Sequence, residues 1–184
     1  MYAFFETYFP NAMAIPEEFV KATIETIYMT FWTAIISGFL GIFFGVLLVV
    51  TRPGGILEQK AIFVVLDQIV NIVRSIPFII LLSLLVGFTR LIVGTSIGAT
   101  AALVPLIAGV IPFFARQIEI ALLEVDPGVV EAAEAMGTSP FGIIFRVYLK
   151  EGLAGIDRVS ALTIINVIGL CAMAEAVGAG GLGS

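Results

Sequence analysis

The stretch EVDPGVVEAAEAMGTSPFGIIFRVYLK, residues 124–150, is a long polar interruption between apolar segments, and its reading decides what kind of chain this is. Asp126 is placed to cap a helix whose first residue is Pro127. That helix runs through Val129, Val130, Glu131, Ala132, Ala133, Glu134, Ala135 and Met136 to Gly137, a natural left-handed stop. A second helix follows at once, capped by Ser139 and opened by Pro140, with Phe141, Ile144, Phe145 and Tyr148 expected on one stripe before Lys150. Two short capped helices between membrane spans have no lipid to bury in. Their exposed apolar and acidic faces are expected to meet another protein.

The flanks are membrane spans. Of the 184 residues, 60% are hydrophobic and 12% charged, half the charged share of a soluble domain, which is about 25%. Residues 27–50 carry no charge and are long enough to cross about 30 Å of hydrocarbon. Residues 75–89 form a short uncharged run, and 91–115 a long one broken at Gly94, Thr95, Ser96 and Gly98, so a turn is expected near 94–97 with a span on each side. Residues 159–174 form the last span, and the segment Gly178, Ala179, Gly180, Gly181, Leu182, Gly183 should leave the helix. Residues 56–73 carry Glu58, Lys60, Asp67 and Asn71 among apolar runs and read as an interfacial or bundle-packed helix rather than a span. The expected architecture is an all-α, polytopic transmembrane bundle of four spans.

Basic residues orient it. Arg52, Lys60 and Arg74 precede the second span, and Arg116, Arg146, Lys150 and Arg158 lie between the third and fourth, which places both groups on the cytoplasmic side. Lys21 and Arg90 fall opposite, so the N-terminus is expected outside, with residues 1–26 as an extracytoplasmic arm. The opening residues have no basic segment of a cleavable signal. Their aromatics Tyr2, Phe4, Phe5, Tyr8 and Phe9 suit a membrane interface.

Several chemistries are excluded by what the sequence lacks. With no histidine there is no imidazole base or ligand, and the single Cys171 can form neither an internal disulfide nor a thiolate cluster. The net charge of −5 comes without a basic block for nucleic acid. No G-x-x-x-x-G-K-[ST] loop is present, so any nucleotide hydrolysis belongs to another subunit. The spans hold almost none of the ionisable groups that ion-coupled carriers use.

Glu131-Ala132-Ala133 followed by Gly137 resembles the EAA signature of the permease subunits of bacterial ABC importers. Val147 and Leu149 match its apolar pair, and Lys150 stands where a proline is usual. The segments around Arg52-Pro53-Gly54, Arg74-Ser75-Ile76-Pro77-Phe78, Val93-Gly94-Thr95-Ser96-Ile97-Gly98 and Ala176-Val177-Gly178-Ala179-Gly180-Gly181 are similar to permeases of the methionine importer type, over residues 27–183. Such permeases have a further span after the glycine-rich segment, and a small residue where this chain has Glu175. The resemblance implies a type I importer permease fold, apparently lacking its last span. It further implies a homodimer on two cytoplasmic ATP-binding subunits that hold the ATP, fed by an extracytoplasmic methionine-binding protein, in the bacterial cytoplasmic membrane. Glu131, Ala132, Ala133, Glu134 and Gly137 would then form the ATPase-coupling element, the two glutamates taking charge-assisted hydrogen bonds from the partner's arginines. The alternatives are a permease of the same family for another small solute, a non-transporting truncated scaffold and, for the helix itself, a solvated loop.

In the fourth span Thr163, Asn166, Leu170 and Met173 recur at helical spacing, a stripe able to face a translocation path with Met173 as its outer gate. The competing reading gives them interhelical packing and hydrogen bonds. Gly38, Gly41 and Gly45 of the first span read as close helix packing.

Overall fold

The computed structural model describes residues 16–182, and every regular element among them is helical. Helix α1, Pro16–Thr51, is 36 residues long, about 54 Å at 1.5 Å per residue, so it projects well beyond the hydrocarbon. It begins at Pro16, and the boundary expected at residue 26 falls inside a continuous helix. The aromatic residues expected at the interface, 2–9, lie outside the described residues.

Helix α2, Lys60–Ser75, and helix α3, Phe78–Val93, are bent by 108° at Ile76-Pro77. Proline causes the break. Its ring disfavours helical backbone at the residue before it, and Ile76 is extended at φ −82° and ψ 122°. The 16 residues of α3 reach only about 24 Å, too short to span alone. The pair together is apolar and long enough for one broken span or a re-entrant loop. Helix α2 packs along α4, as the reading of residues 56–73 as a bundle-packed helix expects.

Gly94 ends α3 in the left-handed region at φ 83°, as the expected turn requires. Helix α4, Ala99–Leu123, is the centre of the molecule and packs against α1, α2, α3 and the last long helix. Helix α5, Pro127–Ala135, and helix α6, Pro140–Ile143, form the polar interruption. Helix α6 continues through a π-helical turn, Ile144–Tyr148, into Leu149–Glu151. Helix α7, Leu153–Ala174, is the last long helix and runs into a π-helical turn, Glu175–Ala179, before the glycine-rich end.

Two apolar clusters on α4 hold the bundle. One gathers Val49, Phe114, Ile118 and Leu122 with Val130, Ala133, Ile143, Val147, Tyr148 and Ile156 at the polar end; the other gathers Met29, Leu106, Val110, Val167 and Cys171. The α1–α4 contact is close because two α1 glycines lack side chains. A Cβ on Gly41 would sit 2.5 Å from a Phe114 ring carbon, and one on Gly45 would sit 2.6 Å from Ile118 Cβ. Gly38 is different: nothing lies within 4 Å of a Cβ built there, so the close-packing expectation fails at that position. Many large apolar side chains, Phe39, Phe43, Leu84, Leu91 and Ile165 among them, face outward, as a bundle solvated by lipid allows.

Candidate functional site

The polar hairpin is built by its caps. The Gly128 N–H donates to Asp126 Oδ1 at 2.8 Å, and the Gly142 N–H to Ser139 Oγ at 3.2 Å, so both expected caps are in place. Gly137 closes α5 at φ 77°, and the Thr138 N–H returns to the Ala133 carbonyl at 3.0 Å. Val130 and Ala133 point inward against Ile143 and Val147, while Glu131, Ala132 and Glu134 point outward. The EAA triplet is therefore split: its last alanine is buried and anchors the helix, and its glutamate and first alanine are exposed. Among the described residues neither glutamate makes a hydrogen bond or ion pair.

The stripe expected on the second helix is not one face. Ile143, Ile144, Val147 and Tyr148 are buried, and Phe141 and Phe145 are 71% and 66% exposed. The buried face of this helix is centred on Ile143, Ile144, Val147 and Tyr148, neighbours at i and i+4, and the two phenylalanines fall outside it. With Met136 at 79% exposure, the two rings add apolar surface to the acidic face of α5.

A cavity of about 310 Å³ opens between this hairpin and the turn after α1, lined by Arg52, Gly54, Pro127, Glu131, Glu134 and Tyr148. Burial pushes the Tyr148 phenol up from its ordinary value, with Glu134 adding to the rise and Arg52 opposing it.

Residues of the α7 stripe face different ways. Thr163 is buried, donates to the Val159 carbonyl at 2.7 Å, and borders a small gap toward Ser37 and Gly38 of α1. Asn166 and Leu170 line a cavity of about 330 Å³ with Arg74, Ile76, Phe78, Leu81, Gly109 and Phe113. Met173 is 42% exposed, near the glycine-rich end. The structure thus joins Asn166 and Leu170 but separates Thr163 from them.

Arg74, one of the basic residues before the second uncharged run, borders the cavity of Asn166 and Leu170 too. Gly109 and Phe113, which border the same cavity, bracket the midpoint of the 25-residue α4. Nearer the polar end, Arg116 ties α4 to α2 by donating to Asp67 at 2.5 Å and to Asn71 at 3.1 Å, and it pairs with Glu119 at 2.6 Å. Sequence reasoning missed this network, though charged residues in apolar helices are the signal that finds one.

At the opposite end, Glu25 and Thr26 of α1 hold the glycine-rich segment. The Gly181 N–H donates to Glu25 Oε2 at 3.0 Å and the Leu182 N–H to Thr26 Oγ1 at 3.1 Å. The Gly98 N–H donates to the Gly178 carbonyl at 3.1 Å, fixing the α3–α4 turn to the same segment.

This geometry has close counterparts. The chain is 54% identical over 149 residues to the D-methionine transport system permease protein MetI of Yersinia pestis, covering 81% of this chain and 69% of that protein. It is 46% identical to the methionine import system permease protein MetP of Bacillus subtilis over 98% of this chain and 80% of that one. Its structure superposes on a chain of the inward-facing MetNI methionine ABC transporter with a TM-score of 0.89 at 48% identity, covering 92% of this chain and 79% of that chain. An amino acid ABC transporter shares the fold at 22% identity and a TM-score of 0.76. Residues 37–184 match the family described as binding-protein-dependent transport system inner membrane component. With four-fifths of its length inside that match and relatives near 50% identity, the chain belongs to the binding-protein-dependent transport system inner membrane component family.

Proposed function

We propose that this chain is the permease subunit of an ATP-binding cassette importer for methionine. Two copies would form the path, with ATP bound and hydrolysed by a separate cytoplasmic subunit and substrate delivered by an extracytoplasmic binding protein. The observation that carries the reading is the capped hairpin after α4. A nine-residue helix rigidly joined to the central span presents Glu131 and Glu134, with Met136, Phe141 and Phe145, to whatever lies beyond the membrane. Movement of a docked subunit would pass through Val130, Ala133, Val147 and Tyr148 into α4 and α7 as a rigid-body tilt. The names of the relatives, MetI and MetP, support methionine as the substrate.

In this reading the hairpin is cytoplasmic, as Arg146, Lys150 and Arg158 around it favour, and the N-terminal end of α1 is outside. Asn166 and Leu170 face the path. Met173, beside the clasped glycine-rich segment, narrows its outer mouth, so Met173→Ala is expected to raise basal leak.

The test is binding-protein-dependent uptake of labelled methionine into proteoliposomes holding the permease and its ATPase. ATP-driven accumulation of methionine is expected. Accumulation of another amino acid in preference to it would transfer the reading to a different solute, and intact complexes that accumulate nothing would end it.

A further inference from the structure

Arg74 is the chemically conspicuous residue that neither the hairpin nor the helix packing explains. It lies one residue before the end of α2, three before Pro77, where α2 and α3 are bent by 108°. Its cavity neighbours fix its depth. Gly109 and Phe113 bracket the middle of α4, and Asn166 is the midpoint of the 27-residue apolar stretch Leu153–Ala179. A guanidinium attached at that level costs several kcal/mol against lipid unless it meets water, an anion or a carbonyl.

Among the described residues Arg74 has no ion pair or hydrogen bond, whereas both terminal nitrogens of Arg116, nearer the polar end, are engaged by Asp67, Asn71 and Glu119. The chain therefore compensates the arginine it uses for packing and leaves Arg74 open. The rest of the cavity is amphipathic in a specific way. Asn166 adds an amide, α3 starts beside it without a side-chain cap, and Phe78, Leu81, Phe113 and Leu170 supply apolar wall. Its volume of about 330 Å³ is at the small end of small-molecule sites.

Resting on the importer reading, we propose that Arg74 and Asn166 form a mid-membrane station that receives the carboxylate of the amino-acid substrate, whose side chain lies along Phe78, Leu81, Phe113 and Leu170. The guanidinium presents paired N–H donors that match a carboxylate, and the transient substrate supplies the counter-charge that the empty path lacks. The break at Pro77 is what makes the station possible. A continuous helix would keep Arg74 within a regular turn and close the gap in which Ile76 is extended.

The experiment uses the assembled complex of two permeases and ATPase in lipid nanodiscs without binding protein, so that the binding protein's own selection is absent. Binding of labelled methionine is measured in competition with methionine and with methioninamide, which keeps the side chain and the amino group but has no carboxylate. The wild type is expected to prefer methionine by about tenfold or more, as a charge-assisted pair lost from a desolvated site implies. Arg74→Gln is expected to bind methionine at least about tenfold more weakly and to lose most of that preference. Arg90→Gln, at the outer end of α3, serves as the control and should bind as the wild type does.

Should Arg74→Gln fail to assemble, Arg74→Lys carries the test: it keeps the charge but not the fork, and about threefold or more weaker methionine binding with unchanged methioninamide binding is expected. Wild-type affinity and preference in an assembled Arg74 variant overturn the station, as does a wild-type complex that holds no methionine or does not distinguish the amide. The importer reading fails by a separate sign, the absence of binding-protein-dependent uptake in proteoliposomes.

Discussion

The Thr26 hydroxyl donates to Glu175 Oε1 at 2.6 Å, joining residues 149 positions apart. Thr26 Oγ1 also accepts from the Leu182 N–H, so one hydroxyl ties the outer part of α1 to both sides of the glycine-rich turn. Glu175 is only 2% exposed, and a Cβ on Gly181 would collide with its carboxyl oxygen, which is why glycine follows it in the fold. Glu175 is thus a built part of the clasp between α1 and the glycine-rich segment.

Thr26→Val keeps the shape of the side chain and removes both clasp hydrogen bonds, along with the hydroxyl's contact to the Ala22 carbonyl at 3.0 Å. It is expected to destabilise the protein by about 1–3 kcal/mol, since a buried polar side chain loses a partner. Thr26→Ser should stay near the wild type. Thermal unfolding in detergent, followed by Trp32 fluorescence, gives the comparison, and equal transitions for Val and Ser would remove the clasp from the account.

The glycines of α1 separate two effects in one helix. Gly45→Ala places a methyl 2.6 Å from Ile118 Cβ and 2.8 Å from the Ala115 carbonyl oxygen, and is expected to cost about 1–3 kcal/mol by overpacking. Gly38→Ala meets nothing within 4 Å and should be neutral or stabilising by up to about 1 kcal/mol, the gain in helix propensity. The same melting assay ranks them, and the reverse order would show that α1 and α4 do not pack as described.

The local signals in this sequence were readable wherever one residue type has one backbone use. Asp126, Ser139, Gly137 and Gly94 do as caps and stops what their chemistry dictates. Residues 56–73 were legible as a packed helix but not in their partners, because their polar groups lie on the face that meets α4. Asp67 and Asn71 look interfacial until Arg116, 49 and 45 positions away, is placed against them. The α7 stripe was legible as a period but not as a direction, because periodicity cannot say which neighbour each side chain meets. Thr163 turns to α1, while Asn166 and Leu170 turn to the break between α2 and α3. On the second hairpin helix the buried face is centred on Ile143 and Val147 rather than on Phe141 and Phe145, a choice of face that apolar spacing alone does not make.

Tyr148 gives the hairpin a pH limit. Its phenol is raised above the ordinary value near 10 by burial, so the folded state favours the neutral form. For a group with a raised folded value, the stabilising contribution is fully present below the unfolded value and is lost as pH rises through the folded one. The hairpin should therefore be insensitive to Tyr148 at neutral pH and loosen above about pH 10. Proteolytic cleavage within residues 124–150 as a function of pH measures this. Tyr148→Phe is expected to abolish the alkaline increase attributable to the phenol, and an unchanged alkaline profile would assign the loosening to another group.

Glu131 is the proposed coupling residue whose role is easiest to reverse. It projects from a helix anchored by Val130 and Ala133, so a substitution there changes the presented surface and leaves the buried face intact. If arginines of the ATPase receive it, Glu131→Lys converts attraction into repulsion and should weaken the permease–ATPase complex by at least about tenfold, within the range of a few kcal/mol for a desolvated charge pair. Glu131→Gln keeps a hydrogen-bond acceptor and should fall between the two. Glu151→Lys is an exposed charge change beyond the hairpin's packed face and should leave the complex as it is. Copurification and substrate-stimulated ATP hydrolysis read all three variants. A Glu131→Lys permease that retains and stimulates the ATPase like the wild type would show that this face of α5 does not dock, and the split of the EAA triplet into one buried and two exposed residues would then need another explanation.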